Sequence, residues 1–331
     1  MLRRADHRSY LEELAAPFGP TLPMDQMVVE MNRMFFDINA HLFEEKHPEI
    51  FEQLPPIWSD LLTVVKQRPL TPWRMLDFGC GVGFCGDMVL DHIPHDDIEV
   101  ITNVDFAPRI IDICKQKLSR RFPRGEYRLD LPATGSYNLL LTNAALHHVP
   151  DFAVTLAEIE PLLADDAWWV MGHEPSARFY QNAECLRVLA AQERHNRWVR
   201  WWRVSKYRRR IGWAVFGDMN KRAAHRAVET GLFARKPSHV VIDRIVDCGV
   251  ANSASETGVG RGFDLREMQA QLSGRWELVE STSYSFMGIH YEGDLTPSWR
   301  RQAARLQVMF PQDGANISAV WRRVGPRRSR Q

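Results

Sequence analysis

Apolar residues recur along the chain in two alternating patterns. Short apolar runs rich in β-branched residues predict buried strands, and apolar residues three and four positions apart predict helices. The predicted strands span residues 75–77, 98–104, 126–131, 137–142, 167–172, 276–285 and 317–324, and the predicted helices span residues 84–90, 109–118, 152–163, 263–272 and 298–309. Strands that alternate with helices predict an α/β protein with a largely parallel sheet.

Two further stretches are helical without intervening strands. Residues 1–70 carry helical patterns broken by prolines, and the apolar spacing in residues 28–43 predicts one amphipathic helix. This helix either packs on the core or forms one wall of a ligand pocket. We divide the chain into an N-terminal helical segment (1–70), an α/β core (71–175), a helical insertion (176–245) and a C-terminal part of the core (246–331).

The composition is that of an ordinary soluble globular protein. The 331 residues are 45% hydrophobic and 25% charged, and the formal net charge is +1. This near-neutral balance argues against nucleic acid as the partner. There is no run of about 18 apolar residues and no signal peptide pattern, so we expect no membrane association and a cytoplasmic location. Five scattered cysteines predict reduced thiols rather than disulfides or a cysteine-based zinc site.

A glycine-rich turn after the first strand is the centre of the predicted site. Asp77 is followed by three alternating glycines, Gly79, Gly81 and Gly83. Glycine lets the backbone approach a nucleotide-like ligand closely. The last two of these glycines, together with Gly86, also satisfy the dinucleotide pattern, so NAD is one alternative. Against NAD, Asp77 can accept from a cationic amino group, which NAD lacks near its pyrophosphate.

Three motifs resemble one family. The order Asp-x-Gly-x-Gly-x-Gly resembles the first motif of the class I S-adenosylmethionine (SAM) methyltransferases. Residues 143–151, read as Asn-Ala-Ala-Leu-His-His-Val-Pro-Asp, resemble the motif after the fourth strand of that family. Residues 35–43 resemble the aromatic-Asp-x-x-Ala-x-x-aromatic signature that precedes the SAM domain in many small-molecule members. The resemblance implies SAM as the cofactor and S-adenosylhomocysteine (SAH) as its product.

The resemblance also implies the architecture and several contacts. We expect a Rossmann-like sheet of seven mostly parallel strands with helices on both faces, closed by an antiparallel hairpin, with N-terminal helices and a helical lid. Asp105, at the end of the second strand, is expected to accept from the ribose hydroxyls. Asp130 is expected to accept from the adenine amino group, and Phe106 to lie against adenine. The predicted cofactor-binding residues are Asp77, Gly79, Cys80, Gly81, Asp105, Phe106, Asp130, Leu131, Asn143 and His148.

His147 is the first candidate for a base that removes a proton from the methyl acceptor. Leu146-His147 resembles the Leu-His-Asp motif whose histidine is the base in plant-type small-molecule O-methyltransferases, although His148 replaces the acidic residue here. The alternative is that His147 caps the loop or contacts SAM without moving a proton. His173 and Glu174 are further catalytic candidates, which could instead bond only to the turn. No metal site is expected, because adjacent histidines on a loop lack the spacing of a ligand set.

The helical insertion is rich in tryptophan and arginine, and in methyltransferases of this kind an insertion here commonly covers the active site. The residues concerned are Trp198, Trp201, Trp202, Trp213, Arg194, Arg197, Arg200, Arg203, Arg208, Arg209 and Arg210. A basic, aromatic surface suits an anionic or carrier-bound acceptor. The alternative is a solvated arginine face above packed tryptophans.

These observations predict a SAM-dependent methyltransferase that acts on a small molecule in specialised bacterial biosynthesis. The bacterial source is indicated by the excess of arginine over lysine. One alternative is a methyltransferase-fold protein that performs another reaction or acts as a partner protein. An NAD-dependent oxidoreductase is a second alternative. A nucleic-acid methyltransferase is not expected, since no Asn-Pro-Pro-aromatic motif is present. A homodimer or a complex with a partner protein stays open.

Overall fold

The computed structural model describes residues 4–67, 72–202, 219–248, 262–288 and 292–325. Its strands form one seven-stranded sheet: β1 (Trp73–Phe78), β2 (Ile98–Val104), β3 (Glu126–Arg128), β4 (Tyr137–Asn143), β5 (Leu163–Pro175), β6 (Trp276–Tyr284) and β7 (Asn316–Arg323). The order across the sheet is β3-β2-β1-β4-β5-β7-β6. The pairs from β3 to β5 are parallel, and β7 is antiparallel to both β5 and β6. The predicted fold class is confirmed, including the antiparallel pair of last strands.

The described helices lie before and between these strands. They are α1 (Arg4–Ala15), α2 (Met24–Asn39), α3 (Phe43–Lys46), α4 (Leu54–Lys66), α5 (Phe84–His92), α6 (Pro108–Leu118), α7 (Phe152–Ile159), α8 (Ala177–Gln181), α9 (Ala183–Trp202), α10 (Met219–Glu229), α11 (His239–Val246), α12 (Leu265–Leu272) and α13 (Pro297–Met309). Within the described ranges, no helix combines the length and the apolar character that a membrane crossing requires.

Side chains alternate across the central strands and produce a core on each face of the sheet. In β4, Leu139 and Leu141 pack in the core that contains α4, α5 and α6, whereas Leu140 packs in the core that contains α7 and α12. Both faces are covered, so the middle of β4 is a continuous run of leucines, as expected for a central parallel strand. The fold therefore exposes only the ends of its central strands to ligands.

Two strands differ from the prediction by three or more residues at one end. β3 ends at Arg128 rather than at residue 131, because it is an edge strand whose only partner, β2, ends at Val104. Asp130 and Leu131 consequently lie on the loop after β3. β5 extends beyond residue 172 to Pro175, because it pairs with β7 as well as β4.

Two predicted helices also end or break earlier than expected. α7 ends at Ile159, and a 3-10 turn with Pro161 near its start leads directly into β5. The helix predicted over residues 28–43 is α2, which starts at Met24 and ends at Asn39, followed by a 3-10 turn and α3. Hydrophobic spacing does not show where the backbone breaks, so it predicts the ends of helices less well than their existence.

The N-terminal helices and the described part of the helical insertion share a hydrophobic cluster. Met27 and Met31 of α2 pack with Ala223 of α10 and Ile242 of α11. We call this cluster the cap core. Phe35 belongs to it and also lines the ligand cavity described below. Both alternatives for α2, core packing and pocket wall, therefore apply.

The rest of the insertion lies partly outside the described residues. These undescribed positions include Trp213 and the arginines Arg203, Arg208, Arg209 and Arg210. The four-part division of the chain and the role of the tryptophan and arginine residues as a lid stay predictions.

Candidate active site

A cavity of about 690 Å³ lies at the carboxyl ends of the parallel strands, where open α/β sheets bind their ligands. This volume is within the usual range for small-molecule sites. The predicted site residues that line it are Gly79, Cys80, Gly81, Asp105, Phe106, Asp130, Leu131, Asn143, His147, His148 and His173. Asp77 and Glu174 are fully buried behind this lining.

The glycine turn is held against the end of β2. The backbone amides of Gly79 and Cys80 both donate to the carbonyl oxygen of Val104, at 2.9 and 3.0 Å. Gly79 has a φ of 68°, which residues with a Cβ rarely adopt. A Cβ at this position would also lie 2.5 Å from the Cβ of Ala145. Glycine is therefore required where the turn meets the loop after β4.

Asp105 stands at the end of β2, where the strand pattern predicts it. Its Oδ2 accepts from the amide of Gly81 at 3.1 Å, and its Oδ1 accepts from the amide of Ala107 at 3.0 Å. Burial raises the pKa of Asp105 to about 6, and the two amide hydrogen bonds oppose that rise. The carboxylate is thus ionised at neutral pH, and each oxygen keeps lone-pair capacity for a ligand donor.

Asp77 carries a buried carboxylate with no donor near it stronger than the Cys85 thiol. It is 0% exposed, and neither of its oxygens has a hydrogen-bond partner in the described structure. Burial raises its pKa to about 7; the nearby Cys85 thiol opposes this rise and the charge of Asp105 adds to it. An unpaired buried carboxylate is costly unless a ligand supplies the donor. The α-ammonium group of SAM is such a donor, so Asp77 fits the predicted cofactor.

The residues predicted to surround adenine lie next to one another along the cavity. Asp130 is exposed on the loop after β3, and Leu131 follows it. Phe106 follows Asp105, and its ring centre lies 6.5 Å from that of Phe36 on α2. This end of the cavity therefore offers aromatic and apolar surface beside the exposed carboxylate of Asp130.

Asn143, at the end of β4, is oriented by a tryptophan. Its Oδ1 accepts from Nε1 of Trp58 on α4 at 3.0 Å. Gly172 of β5 permits this contact, since a Cβ there would lie 2.5 Å from Oδ1 of Asn143 and 2.6 Å from Nε1 of Trp58. Because the carbonyl group is engaged, the amide nitrogen is the group that Asn143 offers to a ligand.

His147 and Glu174 form a hydrogen-bonded pair. Nδ1 of His147 donates to Oε2 of Glu174 at 2.9 Å, while Oε1 accepts from the amides of Ala145 and Leu146, both at 2.9 Å. Burial alone would lower the pKa of His147, but the charge and hydrogen bond of Glu174 outweigh it and raise the pKa above its ordinary 6.5. Glu174 thus bonds to the turn and also orients His147. The remaining ring nitrogen, Nε2, is the one that a ligand can reach.

His148 has a different environment. Its Nδ1 donates to the carbonyl oxygen of Val246 at 2.8 Å and lies 3.4 Å from Oδ1 of Asp247. Burial, with the charge of His147, lowers the pKa of His148 well below 6.5. His147, His148 and Asp247 lie close enough to share a metal ion, with ligand atoms within 4.8 Å of one another. The sequence analysis did not place Asp247 at the site, and the expected lack of a metal stays a prediction.

His173 lies where β5 and β7 shift register, and it has a φ of 52°. Its backbone amide donates to Oγ of Ser318 at 3.1 Å, and its Nδ1 lies 3.2 Å from the hydroxyl of Tyr284. Burial lowers the pKa of His173 to about 4. His173 is therefore a weaker proton acceptor than His147, because its imidazole holds a proton less readily.

One wall of the cavity contains residues that the sequence analysis did not assign. His47 and Glu49, just after α3, both line it, and Nδ1 of His47 donates to Oε1 of Glu49 at 2.8 Å. The ring of His47 lies 4.7 Å from that of Phe43. Phe43 belongs to the aromatic signature, and the two residues are four positions apart. That helical spacing is the signal that could have identified His47.

The helical insertion supplies another unassigned part of the lining. Asp243 and Asp247 lie four positions apart at α11, and Asn220 comes from α10. Among the described lining residues there are several carboxylates and four histidines, but neither lysine nor arginine. The described surface is therefore acidic rather than basic.

The chain is similar to several known proteins. A family model described as "Methyltransferase domain" matches residues 76–169, and no curated protein matches the chain. A solved structure of the plantazolicin methyltransferase BpumL with a triazolic desmethylPZN analog and SAH is similar at 10% identity, covering 96% of this chain and 100% of that one, with a TM-score of 0.45. The YcgJ protein from Bacillus subtilis is similar at 12% identity, covering 80% and 98%, with a TM-score of 0.42. A SAM dependent methyltransferase from Aquifex aeolicus is similar at 13% identity, covering 36% of this chain and 65% of that one, with a TM-score of 0.31.

The matched residues contain the main features of the site. Residues 76–169 include the glycine turn, Asp105, Asn143 and His147. The family match sets aside the NAD-dependent oxidoreductase that the glycine pattern alone allowed. Over residues 76–169 the chain thus carries a SAM-dependent methyltransferase domain.

Proposed function

We propose that the protein transfers the methyl group of SAM to a small-molecule acceptor in the cavity, with His147 as the proton acceptor. The observation that carries this proposal is the pairing of His147 with Glu174 beside the cavity that the glycine turn and Asp105 also border. A histidine oriented by a buried carboxylate is a common arrangement for a general base. The cofactor groups and the base would therefore meet within one site.

The proposed cofactor contacts follow from the groups that remain available. Asp105 accepts from the ribose hydroxyls, and Asp130 accepts from the adenine amino group. Asp77 accepts from the α-ammonium group. This assignment is supported by its two buried oxygens, neither of which has a hydrogen-bond partner in the described structure. Asn143 borders the methionine part with its amide nitrogen. Gly79 allows the backbone to approach the ligand without a Cβ clash.

The residues of the site have simple tasks in the proposed reaction. When bound, SAM supplies an electrophilic methyl group on a sulfonium, and the carbon–sulfur bond breaks as the acceptor's lone pair bonds to the methyl carbon. Nε2 of His147 accepts the proton that the acceptor loses, and Glu174 stabilises the resulting imidazolium. The cavity walls hold the acceptor in line, an alignment that can contribute several kcal/mol.

The charge of the described lining bears on the acceptor. An anionic or carrier-bound acceptor was expected from the arginine-rich stretch, and residues 203–218 of that stretch lie outside the described part of the chain. The described lining, with Asp243 and Asp247 near His147, favours a neutral or cationic acceptor instead. An anionic acceptor would need its cationic partner from another part of the chain. A role in specialised bacterial biosynthesis stays a proposal from composition.

Calorimetric titration of the purified protein with SAM, SAH and NADH tests the proposal first. We expect micromolar binding of SAM and SAH and no binding of NADH. Incubation with methyl-labelled SAM and a panel of amines, alcohols and carboxylic acids then identifies the acceptor class. Failure of both SAM and SAH to bind would refute the proposed function, and binding of NADH alone would revive the dehydrogenase alternative.

A further inference from the structure

We propose that His47, oriented by Glu49, binds the α-carboxylate at the amino-acid end of the cofactor. This inference rests on the proposed function, since it requires SAM or SAH in the cavity. The amino-acid end carries an ammonium and a carboxylate group. Asp77 accounts for the ammonium group, and the residues assigned so far leave the carboxylate without a partner.

A carboxylate that enters a cavity needs a strong hydrogen-bond donor to replace water. The described lining has no lysine or arginine, so its histidines are the side chains that can donate with a positive charge. His147 bonds to Glu174 and is assigned to the acceptor, and His148 bonds to Val246 of α11. His173 is held in its neutral form by burial. This leaves His47.

The position of His47 agrees with this role. The ring of Phe43 lies 3.9 Å from where a Cβ on Gly81 would stand, and the ring of His47 lies 4.7 Å from that of Phe43. His47 and the second glycine of the turn thus share Phe43 as a neighbour, and both line the cavity.

The neighbours of Glu49 point to the same end of the cavity. Ile50 packs in the same core as Trp58, which orients Asn143. The charge of Glu49 also acts on His173 at the end of β5. The pair of His47 and Glu49 therefore borders the part of the cavity assigned to methionine.

The chemistry of the pair suits a carboxylate ligand. Glu49 accepts from Nδ1 of His47, which leaves Nε2 as the second donor of a protonated imidazole. A carboxylate ligand at Nε2 would accept a charge-assisted hydrogen bond. Both side chains are partly buried, with 32% and 17% of their surfaces exposed, so solvent screens the contact only in part. Glu49 is thus a positioning residue, and His47 makes the contact.

The test compares SAH with its decarboxylated analogue, which keeps the adenosine, the thioether and the amine. Calorimetry on the wild-type protein should show SAH binding about 10- to 100-fold more tightly, as expected for one hydrogen bond to a charged group. His47→Leu should weaken SAH by that factor and leave the analogue unchanged. Glu49→Gln should weaken SAH several-fold, again without affecting the analogue.

His41→Leu is the matched control, because His41 lies in the same segment, is exposed and does not line the cavity. It should bind both ligands like the wild type, and thermal unfolding should show that all variants fold. Equal losses for SAH and the analogue in His47→Leu, or no loss, would overturn the inference. Equal affinity of the wild type for both ligands would overturn it without any variant. If the wild type binds neither ligand, the proposed function itself fails.

Discussion

Replacing Asp77 with asparagine removes a buried charge and nearly preserves the shape of the side chain. The pKa of Asp77 is raised from its ordinary 3.8 to about 7, chiefly by burial. This difference corresponds to about 4 kcal/mol. Because the pKa is higher in the folded state, the unfolded chain loses its proton first as pH rises. The carboxylate therefore destabilises the protein progressively between about pH 4 and pH 7, and its cost is constant above pH 7.

The assay is urea unfolding of the ligand-free wild type and of Asp77→Asn at pH 5.5 and pH 8. The asparagine variant should gain stability relative to the wild type as pH rises, by about 2 kcal/mol between these two pH values. Calorimetry with SAH should show the opposite effect on function, a loss of about tenfold or more, because the ammonium group loses a charged acceptor. One substitution thus stabilises the free protein and weakens the complex.

Two results would contradict this reasoning. A stability difference that does not change with pH, or a variant less stable than the wild type at pH 8, would mean that the carboxylate is already satisfied in the free protein. Unchanged SAH affinity would mean that Asp77 does not contact the ammonium group.

Four further outcomes are expected. His147→Ala should lower turnover about 10²- to 10⁴-fold without affecting SAH binding, and unchanged turnover would exclude His147 as the base. Glu174 raises the pKa of His147, and the base must be unprotonated to act. Wild-type turnover should therefore rise with pH through a midpoint above 6.5. In a pH–rate profile, Glu174→Gln should shift that midpoint downward. Gly79→Ala should abolish SAH binding in calorimetry, because the added Cβ would lie 2.5 Å from the Cβ of Ala145. Gly231→Ala is the control: its φ is 76°, but no atom lies within 4 Å of the added Cβ, so SAH binding should be retained. Equal losses in the two variants would point to backbone strain alone. Dialysis against a chelator should leave turnover unchanged, and a loss restored by added metal would refute the prediction of a metal-free site.

The residues at the ends of the central strands were predictable from local pattern. The strand over residues 98–104 has the predicted bounds, because its β-branched residues pack in the cores on both faces of the sheet. Asp105 and Asn143 consequently stand where the pattern ends. Parallel strands deliver such residues to one edge of the sheet whatever the loops between them do.

The positions of other site residues depended on partners distant in sequence. Asp130 left the predicted strand because β3 has no neighbour beyond β2. Glu174 became the partner of His147 because β5 extends past residue 172 to pair with β7. Neither effect is visible in the spacing of a single segment, since both depend on where another strand ends.

The sequence by itself determined the α/β class, the glycine turn and the set of polar residues at the strand ends. Each of these depends on local backbone freedom and on a periodicity of two or 3.6 residues, which neighbouring residues suffice to specify. Only the tertiary structure decided which side chains meet. It brought His47 into the cavity that the glycine turn borders and Asp247 to His148. It also left Asp77 buried with no stronger donor than the Cys85 thiol. Such contacts between distant segments depend on how helices pack over the sheet.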